Sequence, residues 1–553
     1  MAFLPALTQY LTLLTLFCRL VLAADVNYQF NVVNANIFPD GFTRSAVLVN
    51  GAFPGTLIQA QKTDTLHITV NDQLTDPSMR RSTSVHWHGL FQFRTASEDG
   101  RNMYFIPSSI DDTNSIIVPL NGQAGTFCMN NLDSHLSSQY VDGLRGPMVV
   151  YDPSDPHLSL YDEDNANTVI TLADWYHQPA PGLQATYLQG NHEPIPDSGV
   201  INGIGRYDGG PSVLRPRINV VSGKKYRFRV INISAYSGFI FSIESHSLSI
   251  IEVDGINHRP LTVGGLAIYA GQRYSVVLNA NQPIRNYWVR APMELQHSNN
   301  NLTCPTVDTE NVYAVLHYQG ASSSEPTTKA KVSASNLLQE HLLVPLENPG
   351  APGGSQPADH VIDLQFTRDV NAGKLEWTVN NIRYEPPTLP TLLNIIANNF
   401  TVESDFSVHE HTLVLSPNEI VELHIHGSAN GSSSSQFYVT SNTNIYLHGH
   451  AFDVVQASTG PPNYVNPPRR DVVGVKGSTV IIRFKADNPG PWFLHCRKCG
   501  SPFYTPDWHL EAGLAVVFAE SPAQQRTGPQ AQIIKQEWLD LCPIYQALPL
   551  SQQ

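Results

Sequence analysis

The run Thr479-Val480-Ile481-Ile482-Arg483-Phe484 leads into the turn cluster Asp487-Asn488-Pro489-Gly490-Pro491. A second short apolar run, Trp492-Phe493-Leu494-His495-Cys496, follows at once. Short β-branched and aromatic runs bounded by Gly, Pro, Asn and Asp read as strands and turns. The same grammar recurs outward along the chain, in His67-Ile68-Thr69-Val70 and in Tyr226-Arg227-Phe228-Arg229-Val230. With 37 Gly and 40 Pro among 553 residues, there is punctuation for many turns. Helical apolar periods are scarce; the best lie near Leu337–Leu343 and Gln536–Leu541. Many short strands without βαβ alternation point to an all-β chain of sandwiches. Two seams divide it. Tyr151-Asp152-Pro153-Ser154-Asp155-Pro156 follows the strand-like Pro147–Val150, and Gly320-Ala321-Ser322-Ser323-Ser324-Glu325-Pro326 follows Val312–Tyr318. Three consecutive β-sandwich domains are expected, at 25–153, 154–325 and 326–553.

Composition narrows the class. Lys and Arg number 33 against 47 Asp and Glu, a net charge of −14, so no basic face is available for a nucleic-acid backbone. A hydrophobic content of 41% with 9% aromatics excludes disorder. Six Cys make neither a disulfide scaffold nor paired zinc spacings. Residues 1–24 contain an apolar run from Leu11 to Phe17 and end in Val21-Leu22-Ala23-Ala24, which reads as a secretory signal peptide. Acceptor sequons at Asn232, Asn301, Asn399 and Asn430 fit a secreted glycoprotein. No other stretch reaches the ~18 apolar residues of a membrane span. An extracellular protein with no membrane partner is expected.

The chemistry lies in the 21 histidines. In Val85-His86-Trp87-His88-Gly89, strand alternation turns His86 and His88 to one side and Trp87 back into the sandwich. Paired imidazoles suit a borderline metal such as copper or zinc, although a strand His pair is more often just a polar face. Leu447-His448-Gly449-His450 is a second alternating pair. His495-Cys496 precedes Asp507-Trp508-His509-Leu510-Glu511-Ala512-Gly513-Leu514, and a Cys with a later His can supply part of a blue-copper site. His424-Ile425-His426-Gly427 shares the spacing and reads as a solvated strand, with recruitment as a ligand pair its other reading. Cys496-Arg497-Lys498-Cys499 is formally Cys-x-x-Cys but lacks the βα context of a redox motif.

Taken together, His86-Trp87-His88-Gly89, Ser134-His135-Leu136, Leu447-His448-Gly449-His450-Ala451-Phe452 and His495-Cys496 with Asp507–Gly513 resemble the four copper signatures of the multicopper oxidases. The connecting text, including Ser45–Gly51, Gln139–Pro147 and Asp487–Trp492, looks like that of fungal laccases. The resemblance implies three cupredoxin-like Greek-key domains. It also implies four coppers per monomer, a blue one in the third domain and a trinuclear cluster between the first and third. Carried over, His86, His88, His135, His448 and His495 are cluster ligands, and Cys496 and His509 are blue-copper ligands. Leu514 takes the axial place. Cys496, His509 and His495 form the electron route, small phenols are the donors, and O₂ is reduced to water. A secreted monomer is expected.

Four family ligand positions carry other residues: Asp133, Thr443, Tyr446 and Arg497. Extra residues before Ser134 and between Arg497 and Asp507 interrupt text that resumes family-like on both sides. Two readings therefore stand: a phenol-oxidising laccase, and a catalytically impaired or non-enzymatic secreted copper-binding protein. The family also implies a disulfide between the positions of Val141 and Ala235, where both cysteines are replaced.

Overall fold

The computed structural model describes residues 23–100, 114–130, 139–189, 194–294, 311–330, 334–371, 373–426, 437–438, 443–458, 460–475, 478–499, 506–536 and 538–539. Strands assemble in chain order into three successive two-sheet sandwiches, the all-β cupredoxin-like architecture expected. In the first, one sheet runs Arg44–Val49, Asp25–Ile37, Thr65–Gln73, Asn114–Pro119. Its partner runs Ile58–Gln61, Arg145–Tyr151, Gly125–Asn130, His86–His88. Thr65–Gln73 shows why: Leu66, Ile68 and Val70 are buried in the core while His67 and Thr69 face out, the period of two of a half-buried strand. Asp25–Ile37 lies parallel to Thr65–Gln73, so the chain crosses between sheets rather than meandering.

The second sandwich pairs a seven-stranded sheet around Lys225–Asn232 and Arg273–Asn279 with a six-stranded one around Tyr313–Tyr318. In the third, Ile420–His426 and Thr479–Lys485 belong to a seven-stranded sheet. Thr443–Leu447, Pro491–Cys499 and Ala515–Glu520 belong to a five-stranded one. The stretch Thr479–Cys496 is thus a crossing from one sheet to the other. Its turn is held by the Trp492 indole N–H, which donates to the Asn488 carbonyl at 2.6 Å.

Among the described residues helices are short, and one of the two apolar periods does not become one. Leu337–Leu343 holds only the 3-10 turn Glu340–Leu342, and Leu337 bridges to Gly265 instead. Of Gln536–Leu541, Gln536, Trp538 and Leu539 are helical and residues 540–541 lie outside the described residues. The longer helices are Ala180–Leu188 and Thr391–Asn398, each entered from a proline. Both wedge between domains, and Ala180–Leu188 is buried on mixed faces, which erases its amphipathic stripe. Leu392 and Leu393 enter the first domain's core while Ala180 and Tyr187 enter the third's. Val141 and Ala235, at the implied disulfide positions, share one hydrophobic cluster, and the neighbouring Tyr140 hydroxyl donates to the Ser234 carbonyl. Packing and a hydrogen bond occupy that contact. Among the described residues, no helix is long and apolar enough to cross a membrane.

Candidate metal centre

Strand His86–His88 is the edge of its sheet, paired to Gly125–Asn130. Alternation works as read from sequence: Trp87 is buried in the first domain's core, 6.4 Å from the Phe30 ring, and the two imidazoles leave on the other side with centroids 5.7 Å apart. Gly89 then turns with φ +91°, and a Cβ there would lie 2.4 Å from the Arg273 guanidinium, so the turn needs glycine. That guanidinium grips Asp471 through bonds of 2.6 and 2.8 Å, and Asp471 Oδ1 lies 3.8 Å from His88 Nε2.

From the third domain, Thr443–Leu447 and Pro491–Cys499 pair so that Tyr446 stands opposite His495. The first and third domains face each other here. His448 Nε2 lies 3.2 Å from His495 Nε2, and the His86 and His448 rings are 4.4 Å apart. The Tyr446 ring stands among them, 4.0 Å from His88 and 4.4 Å from His448. Its hydroxyl accepts from the Gly89 N–H at 3.1 Å and lies 3.3 Å from His86 Nε2. Asp99 closes the group. Its carboxylate meets His448 Nδ1 at 2.7 Å and His86 Nδ1 at 3.2 Å, and its carbonyl lies 2.9 Å from the same His86 nitrogen. Burial alone would push the Asp99 carboxyl up, but His448 and His86 beside it hold it below the usual carboxylate range.

The second alternating pair does not survive folding. The strand ends at Leu447, and Gly449 turns at φ +71° against the Trp492 ring. His448 therefore joins the cluster, whereas His450 leaves it to lie 2.6 Å from Glu520. Burial opposes the His450 cation, yet Glu520 outweighs it and raises that imidazole's pKa.

His495 and Cys496 diverge as consecutive strand residues must. His495 rings with His448 and Tyr446, while Cys496 is buried in the third domain's core with Leu494, Trp377 and Leu514. His509, in the helix Pro506–Glu511, is buried and packs against Trp377, with ring centroids 4.0 Å apart and planes tilted by 31°. Its carbonyl accepts the Leu514 N–H at 2.9 Å, which seats Leu514 in the same wall.

His86, His88, His448 and His495 are thus brought together at the interface, and Cys496 is carried to the adjoining core. His135 and Asp133 lie outside the described residues; of Thr443 and Arg497 only the backbone is described. The pair His424 and His426 is placed elsewhere, on the outer face of the opposite sheet. Sequence reading missed Asp99 and Trp377. Asp99 sits in a loop with no spacing motif, and its partner His448 is hundreds of residues away in the chain.

The donors fit copper. Buried imidazoles with converging nitrogens and few carboxylates are the ligands a borderline transition metal prefers, and His86 and His448, with Asp99 on their Nδ1 atoms, gather in one small buried group. The comparisons agree. Family models for multicopper oxidases match residues 31–155, 166–321 and 384–524. Laccase-4 of Thanatephorus cucumeris is 53% identical over 479 residues, covering 86% of this chain and 87% of its own length. Laccase-2 of Agaricus bisporus is 44% identical, with 96% of each covered. Among solved structures, the laccase from Botrytis aclada has a TM-score of 0.78 at 30% identity, covering 95% of this chain and 92% of its own. Fet3p, a multicopper oxidase that functions in iron import, scores 0.78 at 26%, covering 94% and 95%. Nothing in these matches favours a non-enzymatic protein over an oxidase. The chain belongs to the multicopper oxidase family, as a fungal laccase-type oxidoreductase with copper as its cofactor.

Proposed function

We propose that this oxidase takes single electrons from small phenols and reduces O₂ to water. Cys496 and His509 hold the blue copper, with Leu514 as its apolar neighbour. His86, His88, His448 and His495, with His135, hold the inner coppers. The observation that carries the reading is the convergence of four imidazoles from two domains on one buried interface. Copper held there would supply one-electron redox chemistry, and four electrons with four protons balance the reduction of O₂ to two waters.

The chain's own groups prepare the site. Asp99 accepts from His448 Nδ1 and from His86, which fixes both tautomers and aims the remaining nitrogens at the metal. Tyr446 offers a phenol oxygen where the family pattern has an imidazole, steadied by the Gly89 N–H. The dry core around Cys496 and Leu514 excludes water and favours a high potential. Adjacency of His495 and Cys496 leaves a few covalent bonds between the two centres. Residues 1–24 are proposed as a signal peptide that exports a monomer. Boundaries near 153 and 325 are supported by family matches ending at 155 and 321.

The test is copper stoichiometry and O₂ uptake on the purified protein with a phenol. Blue colour that disappears in Cys496→Ser, together with phenol-dependent O₂ consumption, is expected. A protein that binds copper, stays colourless and consumes no O₂ overturns the assignment.

A further inference from the structure

After the third sandwich and the helix Pro522–Arg526, the chain returns to the first domain. Trp538 is buried in that domain's core, and Ile534 packs against it. Before reaching this anchor the chain lies along the loop 92–99, whose last residue is Asp99. Gln92 and Arg94 in that loop hold φ of +49° and +62°, left-handed backbone that residues with side chains keep only where their surroundings over-determine it. The returning segment supplies those surroundings. The Ile533 N–H donates to the Arg94 carbonyl at 2.8 Å, and Arg94 Nε donates to the Ala531 carbonyl at 3.0 Å. The Lys535 ammonium lies 2.9 Å from the buried Glu98 carboxylate.

We infer that residues 531–538 are a positioning strap for Asp99, and through it for His86 and His448. The inference rests on reading their interface as the copper site. Asp99 belongs to the first domain and His448 to the third, so their 2.7 Å contact needs the two domains held in register. Gln532 does this with the two ends of one amide. Its Oε1 accepts the Ala96 N–H at 2.9 Å, in the 3-10 turn Ala96–Glu98 that leads into Asp99. Its Nε2 donates to the Pro489 carbonyl of the third domain. Asn488, next to Pro489, spans the same seam. Its Nδ2 donates to the Phe91 carbonyl at 2.6 Å and to the Gly449 carbonyl, one residue past His448, at 2.9 Å.

A carboxylate orients a metal-binding imidazole only where its own backbone is held to within about 0.5 Å. Gln532 and the Lys535–Glu98 pair hold the backbone that carries Asp99, so the strap acts on the imidazoles through that carboxylate.

The test measures how firmly copper is held at the inner site, by competition with a copper chelator. It compares the parent with Gln532→Ala, Lys535→Ala and the two combined, each with and without Asp99→Asn. The combined change is expected to weaken inner-site copper by about tenfold, as loss of a ligand-orienting partner does. The blue absorbance of the Cys496 site and the thermal unfolding of the metal-free protein are expected to stay close to the parent's. Lys535→Arg, which keeps the ion pair, is expected to keep the parent's affinity. On the Asp99→Asn background the strap changes are expected to add little, because what they hold is already gone. If the combined variant does not fold, Lys535→Ala alone is expected to weaken copper in the same direction and with the same dependence on Asp99. Copper retained undiminished by the folded variants overturns the strap. So does a loss that adds in full to that of Asp99→Asn. Failure of the phenol-oxidase reading is separately visible, because the parent then takes up no O₂ while the copper affinities still decide the strap.

Discussion

Tyr446 shows how one side chain can alter a metal site without emptying it. Its ring fills the space among His86, His88 and His448, and its hydroxyl takes up the Gly89 N–H that begins the turn against Arg273. Removing that oxygen leaves a buried donor unsatisfied, which costs about 1–3 kcal/mol. Tyr446→Phe should therefore lower stability by that amount in denaturant unfolding of the metal-free protein. Unchanged stability would show that the hydroxyl contributes nothing there. Tyr446 was visible in the sequence only as a replacement; its hydrogen bonds span the whole chain and were not.

At the scale of the element, alternation is the governing rule, and it is testable on one strand. Within Thr65–Gln73, Ile68 is buried in the first domain's core while Thr69 faces out. Ile68→Ala should cost about 2–5 kcal/mol through lost burial and a cavity. Thr69→Ala should stay within about 0.5 kcal/mol. Urea unfolding of the two variants makes the comparison, and equal losses would contradict the register. The same rule explains why His86, Trp87 and His88, and later His495 and Cys496, were placed correctly from spacing alone. It also explains the failure at His448 and His450. Gly449 has a positive φ and ends the strand, so a period of two no longer applies.

For the whole molecule, the second domain is the tie between the other two. Buried Glu252 accepts from the Thr126 N–H of the first domain at 2.6 Å and from Arg227, Arg229 and Ser275 of its own. Arg273 reaches the Thr126 carbonyl at 2.9 Å and Asp471 of the third domain, and Arg470 answers to Asp254 at 2.9 Å. Burial opposes the Glu252 charge, but Arg227 and Arg229 overcome it and bring its pKa down from 4.5 to about 2. A depressed carboxylate stabilises the fold at pH above its unfolded value, and that contribution, about 3 kcal/mol, fades as pH falls from about 4.5 through about 2. Acid unfolding of Glu252→Gln should show a protein already weakened at neutral pH by about 3–5 kcal/mol, because two buried arginines lose their shared partner. It should also lose less further stability than the parent between pH 4.5 and 2. Parallel curves for the two proteins would exclude this role.

Local chemistry was decided by the sequence itself: short β-branched runs and turn clusters specify sandwiches, and a period of two places neighbours on opposite faces. Those are properties of consecutive residues. The tertiary structure alone decided which distant groups meet. Asp99 between His86 and His448, Trp377 on His509, and Glu252 under Thr126 depend on domains closing on one another. No local period encodes that. The same distinction separates two identical spacings, His86 with His88 at a domain interface and His424 with His426 on an open sheet, because burial and facing partners, not spacing, set what a pair of imidazoles can hold.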